Sequence, residues 1–163
     1  MRLISLAMFL FAVPLLGRAP VRQEAMVSGE PLTIQVELES ANAGKIVLAN
    51  RGSADLRLWN MGNSWGDETL SFEVTWDGRS ERVTRKPQDY TRNVPSSAVV
   101  APNRKHQIPF DLRDGTWEPA EVIDRLTSPG AQITAVYSVR KSPEALSHDV
   151  WTGELRSQPV RLK

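Results

Sequence analysis

Phe72-Glu73-Val74-Thr75-Trp76-Asp77-Gly78-Arg79-Ser80-Glu81-Arg82-Val83 carries two short runs joined by a dipeptide that tolerates positive φ. Phe72, Val74 and Trp76 alternate with Ser71, Glu73 and Thr75, the period of a strand with one buried and one wet face. Asp-Gly between such runs is the residue pair that a two-residue turn of matching twist requires, so a tight antiparallel hairpin is expected here.

The same alternation recurs outward from this hairpin. Leu32, Ile34, Val36 and Leu38 alternate with Thr33, Gln35, Glu37 and Glu39, and Leu56 and Leu58 with Asp55 and Arg57. Lys45 to Asn50 reads as another short strand, and Ile108, Phe110 and Leu112 alternate with Pro109, Asp111 and Arg113. Ala131 to Arg140 reads as a central strand, with Ile133, Ala135, Tyr137 and Val139 on its core face. Between the runs lie turn sequences, Asn42-Ala43-Gly44, Asn50-Arg51-Gly52, Asp114-Gly115 and Ser128-Pro129-Gly130. In the last segment the apolar parity changes from Trp151 and Leu155 to Val160 and Leu162, which a bulge near Ser157 to Pro159 would reconcile. Glu118 to Leu126 spaces Val122, Ile123 and Leu126 as one short helical turn. Arg85 to Lys105 holds three prolines and reads as a long connection with a short strand at Ala98 to Val100. The expected fold is all-β, a two-sheet antiparallel sandwich of about seven strands.

The chain begins differently. Met1-Arg2 precedes an apolar run from Leu3 to Leu16, followed by Gly17 and Ala19, the layout of a secretory signal peptide over residues 1–19, with a cut near Ala25 as the alternative. That run is shorter than the ~20 residues of a membrane-spanning helix, so no stable span is expected after cleavage. The expected location is periplasmic or extracellular, with residues 31–163 forming a single domain. There are 0 Cys, so no disulfide reinforces it. A formal net charge of +1, and no run of interleaved basic and aromatic residues, argue against a nucleic-acid partner.

Residues 31 to 163 resemble the secreted immunoglobulin-like modules of bacteria. The resemblance lies in the Asn50-Arg51-Gly52 turn, in the strand from Gly130 to Tyr137, and in the closing stretch Trp151-Thr152-Gly153-Glu154-Leu155-Arg156-Ser157-Gln158-Pro159-Val160. It implies an immunoglobulin-like sandwich and no particular activity.

Catalytic and metal chemistry find little support. Asn63-Ser64-Trp65-Gly66 is similar to the segment bearing the active-site asparagine of papain-like proteases, but those enzymes need a cysteine and this chain has none. The 2 histidines, His106 and His148, stand far apart without a nucleophile motif or clustered ligands. Asp67, Glu68 and Asp77 lack the ordered spacing of a calcium loop. No catalytic residue, cofactor or metal is therefore expected, and the chain reads as non-enzymatic.

Aromatic and basic residues supply the binding candidates. Trp59 is out of phase with Leu56 and Leu58, and with Asn60, Asn63 and Trp65 it frames a glycine-containing loop where rings and amides would meet a ligand. Trp76 and Trp151 keep strand phase and belong to the core, with Trp117 closing one end of it. Arg85, Lys86, Arg92, Arg104 and Lys105 make the long connection basic. The leading expectation is an interaction module for another envelope or extracellular protein. A carbohydrate-binding module using Trp59 and Trp65 is the alternative, favoured by exposed coplanar rings and excluded by burial of either. A loop-inserting protease inhibitor is the third reading.

Overall fold

In the computed structural model the described residues are 31–162, and they form two facing antiparallel sheets with a small two-stranded ribbon at one side. The expected leader lies outside the described residues. Among those residues no helix is long and apolar enough to cross a membrane.

The strands are β1 (Leu32–Leu38), β2 (Ala43–Asn50), β3 (Leu56–Trp59), β4 (Leu70–Trp76), β5 (Arg79–Arg85), β6 (Ser97–Val100), β7 (Lys105–Asp111), β8 (Trp117–Glu118), β9 (Gln132–Val139), β10 (Gly153–Arg156) and β11 (Val160–Arg161). One sheet has the order β1-β2-β7 and the larger one β10-β9-β4-β5-β8, with β11 also on β9; β3 pairs β6 as a separate ribbon and makes one isolated bridge, from Arg57 to Val150. The alternation read from the sequence is realised as burial. Leu32, Ile34, Ile46, Leu48, Ile108 and Phe110 of the first sheet face Phe72, Val74, Ile133, Ala135 and Tyr137 of the second in one core. Phe72 and Phe110 meet across the layers with ring centroids 4.6 Å apart, and Trp117 packs edge-on against Phe72 at 5.2 Å. Removing a side chain such as Phe72 from water is worth roughly 1.5–3 kcal/mol, repeated along each strand.

The Asp77-Gly78 hairpin forms as expected: Trp76 pairs Arg79, and both turn residues have positive φ, 45° and 73°. The bulge near Ser157 is also present. Leu155 pairs Tyr137 while Val160 pairs Ile133, a slip of one residue between β10 and β11 along the same edge of β9. Ser157 accommodates the slip, donating its backbone N–H to the Ala135 carbonyl and accepting the Ala135 N–H through Oγ, each at 2.9 Å. Leu155 and Leu162 consequently both reach the core.

Two features differ from the sequence reading. Among the described residues the strand segments number eleven rather than about seven, because the final strand is split into β10 and β11 and short segments such as the two-residue β8 also pair. The described residues also hold three short α-helices rather than one: α1 (Ser64–Asp67), α2 (Ala120–Asp124) and α3 (Pro143–Ser147). Each of α1 and α3 follows an N-cap, Asn63 or Ser142, whose side chain accepts a backbone N–H of the first turn. The ribbon is anchored by Asn50, fully buried, which donates through Nδ2 to the carbonyls of Ala54 and Val100 at 2.8 and 2.7 Å.

Candidate binding groove

A groove of about 690 Å³ opens at the end of the larger sheet where β4 begins and β5 and β9 end. Strand register explains its lining. Ser71 lies opposite Thr84 on β5 and Val136 on β9, and the Ser138 N–H donates to the Thr69 carbonyl at 2.8 Å, so Ser138 is diagonal to Ser71 and three hydroxyl-bearing residues from three adjacent strands gather on one face. Their parity is outward, away from the core. The segments entering and leaving these strands complete the groove, contributing Trp65, Arg85, Lys86, Tyr90, Arg140 and Glu144 among others.

The connection between β5 and β6 is pinned rather than loose. Tyr90 Oη donates to Asp67 Oδ2 at 2.7 Å, and Asp67 Oδ1 accepts the Gly62 N–H at 2.9 Å. Ser64 and Asn93 exchange two bonds, from Ser64 N to Asn93 Oδ1 at 3.0 Å and from Asn93 Nδ2 to Ser64 Oγ at 2.9 Å. Asn60 Nδ2 reaches Ser96 Oγ at 3.1 Å. Burial, followed by the hydrogen bond from the phenol to Asp67, pushes the Tyr90 pKa up to about 12, while the Arg85 charge opposes the rise. Tyr90 therefore remains a donor at ordinary pH.

The four residues expected to meet a ligand do lie together, but their chemistry is mostly turned inward. Trp59 is 2% exposed, with Trp65 at 6.3 Å on one side and His148 at 5.3 Å on another. The two tryptophan rings are inclined by 43°. They are neither coplanar nor both exposed, so the condition set for sugar stacking is not met; the loop following β3 covers the Trp59 face that strand phase left unassigned. Asn63, 4% exposed, accepts the Gly66 N–H at 3.0 Å as the cap of α1 and donates to the Asn60 carbonyl at 3.0 Å. Its amide is occupied by its own loop. Trp65, half-buried, is the one member of the four whose ring lies on the core side and also lines the groove without being fully covered.

Of the basic connection, Arg85 and Lys86 line the groove; Arg92, Arg104 and Lys105 do not. Lys86 Nζ donates to the Gly115 carbonyl at 2.8 Å. The Arg85 guanidinium carbon sits 4.7 Å from the centre of the Trp117 ring. Below the groove the sheet face neutralises itself: Glu73 bridges Arg156 at 2.7 Å and Arg82 at 3.3 Å. The sequence reading passed over Tyr90, Ser138 and Arg140. Tyr90 had a signal, as the lone aromatic of a proline-bearing connection; the other two had none.

The acidic trio considered for calcium is split, since Asp67 precedes β4 and Asp77 follows it. Among the described residues no group of three or more His, Cys, Asp or Glu is gathered where a metal ion would sit. Burial lowers the pKa of His106, on β7 opposite Leu48, and His148 packs on Trp59. No family model, curated protein or solved structure matches the chain.

Proposed function

We propose that this chain is an exported, immunoglobulin-like, non-enzymatic binding module, which recognises a segment of another envelope or extracellular protein in the groove at the end of the larger sheet. The observation that carries the reading is the groove itself, about 690 Å³ in volume, with a hydroxyl floor set by strand register and a wall held by Tyr90–Asp67 and Asn93–Ser64. That volume falls within the usual range for ligand sites, and the preformed wall limits the ordering cost of binding. The lining mixes both charge signs with two tryptophans and a tyrosine, which suits a peptide segment. The sequence of residues 1–19 supports export. Burial of Trp59 and the occupied amide of Asn63 weigh against the sugar-binding alternative.

The test is site-specific photo-cross-linking of the mature chain in envelope extract, with the reactive group at Gln88 in the groove or at Asp77 on the distant hairpin. The reading requires one specific protein captured from Gln88 and not from Asp77, cross-linked through a single contiguous segment. Capture from Asp77 alone, or from neither position, contradicts it.

A further inference from the structure

We infer that Arg85 is the carboxylate anchor of this groove, selecting a partner segment that carries an aspartate or glutamate side chain; the inference rests on the groove being the binding site. Three observations converge on this residue. Its guanidinium lies on the Trp117 ring at 4.7 Å, and that ring is only 2% exposed, so the planar fork is held in one orientation by a fixed neighbour. Its Nε is shielded from solvent and finds no acceptor among the described residues. Nor does Arg85 form an ion pair there, whereas Arg82, three residues earlier on β5, is paired with Glu73.

Because Nε is covered, an incoming carboxylate meets the two terminal nitrogens, which are not among the shielded atoms and whose parallel N–H groups match its two oxygens side by side. The buried acidic residue of the groove is not free to do so. Asp67 shares Tyr90 as a neighbour with Arg85, yet both its oxygens are taken, by the Tyr90 hydroxyl and the Gly62 N–H. Arg140, at the other flank of the groove, likewise has no ion pair among the described residues and adds attraction for an acidic segment. Because Arg85 is already ordered on Trp117, little side-chain freedom is lost when the carboxylate arrives.

The experiment presents the mature chain to an immobilised hexapeptide library in which one position at a time is fixed as Glu or as Gln. Glu is expected to be retained about tenfold or more over Gln at one position, the scale of a charge-assisted paired hydrogen bond. Arg85→Gln should abolish that preference, and Arg85→Lys, which keeps charge but not the fork, should retain a fraction of it. The exposed Arg57→Gln should leave it intact, and thermal unfolding of each variant verifies that it folds. On the wild-type chain, the Arg85 Nε–H resonance should shift with the Glu peptide and not with the Gln peptide. Equal retention of Glu and Gln, or a Glu preference that survives in Arg85→Gln, overturns the inference. Capture of a partner from Gln88 that is unchanged in Arg85→Gln overturns it while leaving the groove as the binding site; absence of capture from Gln88 overturns both.

Discussion

Replacing Asn63 by alanine separates a structural amide from a ligand-binding one. The Asn63 side chain makes two bonds within its own loop, accepting from Gly66 N and donating to the Asn60 carbonyl, each at 3.0 Å. Loss of an N-cap costs about 1 kcal/mol, within a range of roughly 0.5–2. The half-buried Asn60 carbonyl, deprived of its donor, adds about 1–2 kcal/mol, toward the lower end for an unpaired acceptor. Together these give a destabilisation of about 2–3 kcal/mol. For a domain of this size with a urea slope of about 1.5 kcal/mol/M, the unfolding midpoint should fall by about 2 M. Asn63→Ser supplies a competent cap that is too short to reach the Asn60 carbonyl, and should recover about 1 kcal/mol. Tryptophan fluorescence in a urea titration measures all three proteins. A loss below about 0.5 kcal/mol in Asn63→Ala, well under the cap value alone, would refute the structural assignment.

Gly78→Ala should cost about 1 kcal/mol, because φ of 73° is strained for a residue with a Cβ although nothing crowds the site; urea unfolding checks this. Trp59→Ala should destabilise by about 3–5 kcal/mol and Trp65→Ala, half-buried, by clearly less; equal losses would place Trp65 in the core as firmly as Trp59. Glu73 is held below its ordinary carboxyl pKa chiefly by the hydrogen bond from Arg156 and secondarily by Arg82. Its native state therefore binds the proton less tightly than the unfolded chain, so its stabilisation is full above about pH 4.5 and is lost as pH falls through the lower native value. In Glu73→Gln the acid limb of the stability profile should be shallower, with a loss of about 0.5–1 kcal/mol at neutral pH; parallel profiles for the two proteins would contradict the pairing.

Much of the fold was legible because strand faces are local in sequence. Alternation located the strands, Asp77-Gly78 declared its turn, and the parity change after Leu155 announced the bulge that Ser157 accommodates. The short helices were harder to see. Asn63 and Ser142 are caps, but the four and five residues that follow each are too few to display a helical period, and Ser142-Pro143-Glu144 was the one unread start signal. Trp59 was correctly seen to be out of strand phase, yet what covers it, Trp65 and His148, comes from segments six and roughly ninety residues further along. The groove was illegible for the same reason. Ser71, Thr84 and Ser138 look like ordinary outward strand residues until long-range pairing gathers them on one face. Tertiary pairing also separated β3–β6 from the two main sheets, a choice that alternation alone does not encode.

The most direct measurement is an amide and indole chemical-shift map of the mature chain titrated with the segment captured from Gln88. Binding in the groove predicts saturating shifts at Ser71, Thr84, Ser138 and the Trp65 indole N–H, with the Asp77-Gly78 hairpin unmoved. Shifts confined instead to the outer edge of β6 around Val99, which is 51% exposed, would contradict the account and make strand addition at that edge the mode of recognition.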